Sequence, residues 1–185
     1  MTRLLALFAV LFAIAPAAIV PAPAQQGLPP GTDLQNTLLI DTTQGRIVVK
    51  LRNDLAPKHV ERIKQLVGEG FYDGIVFHRV IDGFMAQTGC PHGTGTGGSS
   101  YPNLPAEFSA EPHVRGTASM ARAQSPNSAN SQFFICFDDA RFLDKQYTVW
   151  GKVIEGMENV DKIKRGEPVA NPDKITSLKV AADVK

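Results

Sequence analysis

FHRVIDGFMAQTG, residues 77–89, decides the fold and poses its central problem. Two apolar-rich runs flank Asp82-Gly83, a dipeptide with strong turn character. The stretch therefore predicts a strand, a tight reversal and a second strand. Strand side chains alternate between faces, so Arg79 shares a face with Phe77 and Ile81. A buried arginine without a partner is costly. Either a carboxylate ties Arg79 down or it faces a wet groove. The turn adds a second difficulty. A two-residue loop would pair Ile81 with Phe84 and set Arg79 opposite Ala86, with Gln87 projecting to the other face.

Outward from this hairpin, short strands dominate. Ile40, Ile47, Val49 and Leu51 alternate with polar residues around Gln44-Gly45, a hairpin with one buried face. Pro57 opens a helix at its preferred first position, with Val60, Ile63, Leu66 and Val67 as the apolar stripe and Gly68 or Gly70 as the stop. Strands are predicted at 75–81 and 84–88, then at 117–121, 132–137 and 147–154. A second helix carries Met157, Val160 and Ile163 and stops at Gly166, and a last strand covers 175–182. Residues 89–116 form a long Gly/Pro/Ser-rich loop of functional rather than linker type. Many short strands with two helices give an all-β barrel or sandwich whose open ends the helices cover. Helices do not alternate with strands, which excludes parallel βαβ units.

The chain has 185 residues, 43% of them hydrophobic, and a formal charge of +1. That suits one domain, and no basic field points to nucleic acid. The N-terminus has Arg3, an apolar run from Leu4 to Ile14, and Ala22-Pro23-Ala24, the layout of a signal peptide over 1–24. The expected product is a periplasmic or secreted protein cut after Ala24, with no membrane anchor once the signal is removed. A flexible leader at 25–36 and one domain at 37–183 follow. Export raises the prospect of disulfides, yet nothing in the sequence brings Cys90 and Cys136 together, and they are expected unbonded.

Common chemistries find little support. The four histidines, His59, His78, His92 and His113, form no metal-ligand spacing with one another or with Cys or Asp. GTGTGG at 93–98 lacks the Lys-Ser/Thr of a phosphate loop. No serine lies in a nucleophile elbow. Cys136 reads as a small buried hydrophobe. What remains is a polar set in apolar strands. Gln132, Phe134 and Cys136 share one face, while Phe133, Ile135 and Phe137 share the core face. An amide beside an aromatic ring suits a peptide-binding surface, and Met85 with Gln87 repeats that pairing.

FHRVIDGFMAQTG, followed by GTGG at 95–98, ASMAR at 118–122, SQFFI at 131–135 and FLD at 142–144, resembles the cyclophilin-type peptidyl-prolyl isomerases. The resemblance runs from about Leu39 to about Val180. It implies a closed eight-stranded antiparallel barrel with a helix over each end. It also implies Arg79 as the catalytic residue, a proline pocket of Phe84, Met85, Phe134 and Leu143, Gln87 holding Arg79, and Gln132 contacting the substrate backbone. Ala121 and Arg122 would border the groove, Arg122 standing where the family usually has Asn. Phe142 occupies a position often held by Trp in the eukaryotic enzymes, and Tyr147 one often held by His. The resemblance further implies no cofactor, proline-containing peptides and unfolded proteins as partners, weak cyclosporin binding, and a monomer. Since the family places Arg79 beside Gln87, the 82–83 connection must be an odd-length loop or contain a bulge.

Such an enzyme breaks no bond. Rotation about a peptide C–N bond meets a barrier of about 18–20 kcal/mol from resonance. Apolar walls hold the proline ring while a guanidinium stabilises the prolyl nitrogen lone pair as resonance is lost. The competing reading is a non-catalytic chaperone using the same groove. A purely structural barrel leaves the polar-aromatic set unexplained.

Overall fold

The computed structural model describes residues 28–184. The first hairpin pairs β1 (Thr37–Thr42) with β2 (Gly45–Leu51) across Thr43-Gln44, and the Thr42 hydroxyl donates to Gly45 O at 2.7 Å. Its inward residues, among them Ile40, Ile47, Val49 and Leu51, are buried as the alternation predicts. On the opposite face Leu39 and Val48 meet Ala181 in a small apolar cluster. Leu28 and Leu34, from the segment expected as a leader, pack against that cluster. A 3-10 turn over Leu34–Asn36 is capped there by the Asp33 carboxylate. The signal peptide expected at 1–24 lies outside the described residues.

Helix α1 (Pro57–Gly68) buries Val60, Ile63, Leu66 and Val67 and gives way to Glu69 and a left-handed Gly70. Its first turn is capped from 49 residues away: the N–H groups of Lys58 and His59 both donate to the Glu107 carboxylate. The remaining elements are β3 (Arg79–Ile81), β4 (Met85–Thr88), β5 (Thr117–Met120), β6 (Phe133–Cys136), β7 (Val149–Glu155), α2 (Met157–Asp161) and β8 (Ile175–Val180). Helix α2 is one short turn and a half. The apolar Ile163, read as part of it, lies beyond its end.

The eight strands form one antiparallel sheet in the order β3-β4-β6-β5-β7-β2-β1-β8. The expected closed eight-stranded barrel is corrected here: the sheet is an open, strongly curled half-barrel, because β3 and β8 are its edges and do not pair as a ladder. Three register shifts, at Asp41/Thr42, Val48/Val49 and Ala118/Ser119, supply bends of the kind that increase twist and curl. The strand predicted over 75–81 shortens to three residues. Across the gap there are isolated bridges, Val76 to Lys174 and Val80 to Gly166, and scattered single backbone bonds such as Phe77 N–H to Asp173 O, but no continuous ladder among the described residues. The segment facing β3 carries Pro168 and Pro172, which have no N–H to give to a ladder.

The main core lies on one face of the sheet. Phe133 stands edge-on to both Trp150 and Tyr72, at 5.3 and 5.6 Å between ring centres. Phe133, Ile135 and Phe137 belong to it, as the alternation along β6 requires. Phe134 and Cys136 point the other way, into a second apolar cluster with Met85, Ala140 and Leu143. No helix among the described residues is long and apolar enough to cross a membrane.

Gly89, at the end of β4, has φ +85°, and a Cβ there would sit 2.4 Å from Ser131 O. Left-handed backbone for alanine and the overlap with a fixed carbonyl together cost about 2–4 kcal/mol. Gly89→Ala is expected to lower the urea midpoint accordingly. An unchanged midpoint would show that the approach is looser than described.

Candidate active site

β3 and β4 pair with Arg79 opposite Gln87, Val80 opposite Ala86 and Ile81 opposite Met85. Three residues, Asp82, Gly83 and Phe84, make the connection. Gly83 is left-handed at φ +66°, and Phe84 N–H donates to Ile81 O at 3.1 Å. The two-residue hairpin suggested by Asp82-Gly83 does not form, and the odd-length loop places Arg79 and Gln87 on one face. β4 then pairs with β6, so Met85 lies opposite Cys136 and Gln87 opposite Phe134. Arg79, Ile81, Met85, Gln87, Phe134 and Cys136 therefore face the same way.

Above this face lies a recess of about 120 Å³ lined by Arg79, Phe84, Met85, Gln87, Ala121, Arg122, Phe134, Leu143 and Tyr147. Met85, Phe134 and Leu143 are buried and form its floor and walls. Phe142 stands outside, 66% exposed on the 3-10 turn Arg141–Leu143, with its ring 5.4 Å from that of Phe84. Gln132 lines a larger neighbouring cavity of about 640 Å³ that shares Gln87, Ala121 and Arg122 with the recess. Its amide nitrogen donates to Gly95 O and Gly97 O at 2.9 and 2.7 Å, and its Oε1 accepts from Gln87 Nε2 at 3.0 Å. The two glutamines are thus locked together between the cavities. Arg122 folds back over Tyr147, 4.5 Å from the ring centre, and donates to the carbonyls of Ala123, Gln124 and Gln146.

Arg79 is 37% exposed at the recess mouth, and its Nε donates to the Glu167 carboxylate. Both options raised by the sequence hold at once: the guanidinium has an acidic partner and also borders a groove. Gln87 lies directly across the ladder but gives its amide N–H to Gln132.

Two residues of this region escaped the sequence reading as site residues. Glu167 is one. The other is His113, buried behind Phe134 with the rings stacked at 6.2 Å. His113 Nδ1 lies 2.9 Å from Asp144 Oδ1, and Nε2 lies 3.0 Å from Ser119 Oγ. Burial outweighs the Asp144 charge and holds the imidazole below its ordinary pKa. The neutral ring donates from Nδ1 to Asp144, while Nε2 faces the oxygen of a Ser119 hydroxyl that gives its own proton to Thr148 O at 2.9 Å. It buttresses Phe134 rather than moving protons. Cys136 sits under the recess floor with its thiol pushed up to about 12 by burial, which makes it a poor nucleophile. Cys90 and Cys136 stand as separate free thiols. Among the described residues no group of three or more His, Cys, Asp or Glu is placed to hold a metal ion. The site offers a half-exposed cation beside an apolar recess, an arrangement suited to stabilising charge redistribution in a held ring.

Residues 37–180 match the family described as cyclophilin type peptidyl-prolyl cis-trans isomerase/CLD. The chain is 57% identical over 169 residues to a probable peptidyl-prolyl cis-trans isomerase of Brucella suis, covering 83% of this chain and 86% of that protein. It is 46% identical over 132 residues to a peptidyl-prolyl cis-trans isomerase of Helicobacter pylori, covering 69% and 80%. The crystal structure of a cyclophilin from Hirschia baltica superimposes with a TM-score of 0.77 at 29% identity, over 83% of this chain and 77% of that one. A cyclophilin type peptidyl-prolyl cis-trans isomerase of Cryptosporidium parvum, crystallised in the presence of the dipeptide Ala-Pro, gives 0.73 at 29% identity, over 78% and 98%.

The buried histidines carry a pH signature. Burial lowers the pKa of His59, His78 and His113, with the nearby Arg79 charge adding to the effect at His78. The unfolded chain protonates these rings near about pH 6.5, while the folded protein does so only at lower pH. Their contribution is therefore complete above the unfolded value and is lost as pH falls through the window below it. The urea midpoint is expected to drop between about pH 7 and pH 5, before carboxylate titration dominates. A flat profile across that window would contradict the neutral, buried assignment.

Proposed function

We propose, for a chain that belongs to the cyclophilin-type peptidyl-prolyl cis-trans isomerases and catalyses rotation about X-Pro bonds, that Arg79 is the catalytic group and that the substrates are extended or unfolded exported polypeptides. The observation that carries the assignment is the β3–β4 register, which sets a half-exposed guanidinium at the mouth of the apolar recess. A recess of about 120 Å³ equals roughly four waters of liquid volume at about 30 Å³ each, a space on the scale of one pyrrolidine ring. The relative crystallised with Ala-Pro supports a short proline-containing peptide as the bound unit.

The proline ring enters against Met85, Phe134 and Leu143, with Phe84 and Tyr147 as side walls. Gln132 and Gln87, each fixed by the other, meet the peptide backbone, and the main chain at Ala121 and Arg122 borders it. The terminal nitrogens of Arg79 approach the prolyl nitrogen as the C–N bond twists and its lone pair localises. A rate gain of about 10⁵ needs about 7 kcal/mol, within reach of a preorganised charge in a partly dry site. Phe142 has no ring N–H, so inhibitors of the cyclosporin type that use such a donor bind weakly. The working unit is a monomer with no nucleic-acid partner.

Export rests on Arg3, the apolar run and Ala22-Pro23-Ala24. The mass of the processed protein is expected to correspond to a start at Gln25. A membrane-bound product retaining Met1 would overturn that reading.

Arg79→Ala is expected to keep the fold and lower isomerisation at least about tenfold, each tenfold step being about 1.4 kcal/mol of transition-state stabilisation. Arg79→Lys recovers little, since an ammonium lacks the planar fork. Peptide binding suffers less than turnover because the walls remain. The check is a cis-to-trans rate beside a binding constant for the same peptide. Full activity of folded Arg79→Ala ends the catalytic assignment, and equal losses in rate and binding favour a holding chaperone.

A further inference from the structure

The segment before β8 runs along the otherwise free edge of β3. Val80 N–H donates to Gly166 O at 2.9 Å, and Gly166 N–H returns the bond to Val80 O at 2.8 Å. This closed antiparallel pair sets the register of its neighbours, so Arg79 falls beside Glu167 and Ile81 beside Arg165. The segment is fastened on both sides of the bridge. Val169 N–H donates to His78 O at 3.2 Å. Arg165 lies over the Phe137 ring at 4.1 Å and donates to Asp82 Oδ1 at 3.1 Å. A side chain at Gly166 would not fit, because its Cβ would stand 2.8 Å from Pro168 O. Glu167 therefore reaches Arg79 through backbone register, and its carboxylate takes the Nε–H.

We infer that Glu167 is a positioning residue for the isomerase reaction: it holds the Arg79 guanidinium by Nε and leaves both terminal amino groups turned to the recess. The inference rests on the reading of Arg79 as the catalytic group. The Gln87 side chain is tied through its amide N–H to Gln132, and the acceptor that takes the Arg79 Nε–H is the Glu167 carboxylate. A free arginine side chain samples many rotamers, and few of them point at a bound prolyl nitrogen. The carboxylate charge works in the opposite sense, since it weakens the field Arg79 exerts on the substrate. Glu167 is 57% exposed, so solvent screens much of that effect and orientation outweighs it. An uncharged acceptor of the same length should then serve nearly as well.

The test uses the full chain with Glu167→Ala and Glu167→Gln, assayed for kcat and KM on a proline peptide. The Arg79 Nε–H resonance is followed in parallel, assigned by its absence in Arg79→Lys. Glu167→Ala is expected to lower kcat about five- to tenfold with KM within about twofold, tenfold being about 1.4 kcal/mol. Its Nε–H signal should lose protection from exchange. Glu167→Gln should keep at least about half of kcat and retain the protected signal. Wild-type kcat in Glu167→Ala, equal losses in the two variants, or a gain in either overturns the inference. So does a loss of kcat matched by loss of folded protein at the assay temperature. Full activity in Arg79→Ala would instead remove the underlying reading, whereas an inactive Arg79→Ala beside a fully active Glu167→Ala removes only the role of Glu167.

Discussion

The connection between β3 and β4 contains three residues rather than two, and the site depends on that count. Side chains alternate with a period of two, so a one-residue slip would carry Gln87 away from Arg79. The third loop residue, Phe84, is held from both sides: its N–H donates to Ile81 O, and its O accepts from Phe137 N–H at 2.9 Å. That double tether puts the Phe84 ring at the recess rim. The pairing continues into β6, where Phe134 stands opposite Gln87. A cation, an amide and an aromatic wall from three strands are thus brought to one face by backbone hydrogen bonds.

The two faces of the sheet serve different ends. One carries the large core around Trp150, Phe133 and Tyr72. The other carries the small cluster of Met85, Phe134, Cys136, Ala140 and Leu143, whose outer surface remains open as the recess. Its polar members are satisfied mainly by one another: Gln87 by Gln132, Gln132 by Gly95 and Gly97, His113 Nδ1 by Asp144. Such mutual satisfaction restricts rotamers without burying an unpaired charge. The open edge of the sheet matters as well. Because β3 does not zip onto β8, its outer edge is free to receive Gly166, and Glu167 comes with it.

Periodicity made much of this readable in advance. The alternation in SQFFICF placed Phe133 and Ile135 in the core and Phe134 and Cys136 opposite, and Pro57 with the Val60–Val67 stripe located α1. The family resemblance, rather than spacing, pointed to Arg79 and the recess residues, which the structure gathers around one cavity. Closure was misjudged because it turns on how residues 164–174 pass β3, and strand patterns say nothing of two prolines facing an edge. Asp82-Gly83 favoured a two-residue turn, and only cross-strand pairing with β6 and tethering of Phe84 select the longer one. His113 and Glu167 left no local trace, since their partners Asp144 and Arg79 lie 31 and 88 residues away in the chain.

The most direct test is a crystal structure of the protein with a short peptide containing one proline. The account predicts the proline ring in the recess between Phe84, Met85, Phe134 and Leu143, with a terminal nitrogen of Arg79 about 3 Å from the prolyl nitrogen or the adjoining carbonyl. A proline ring bound instead in the larger cavity beside Gly95–Ser99, with Arg79 turned to solvent, would contradict it.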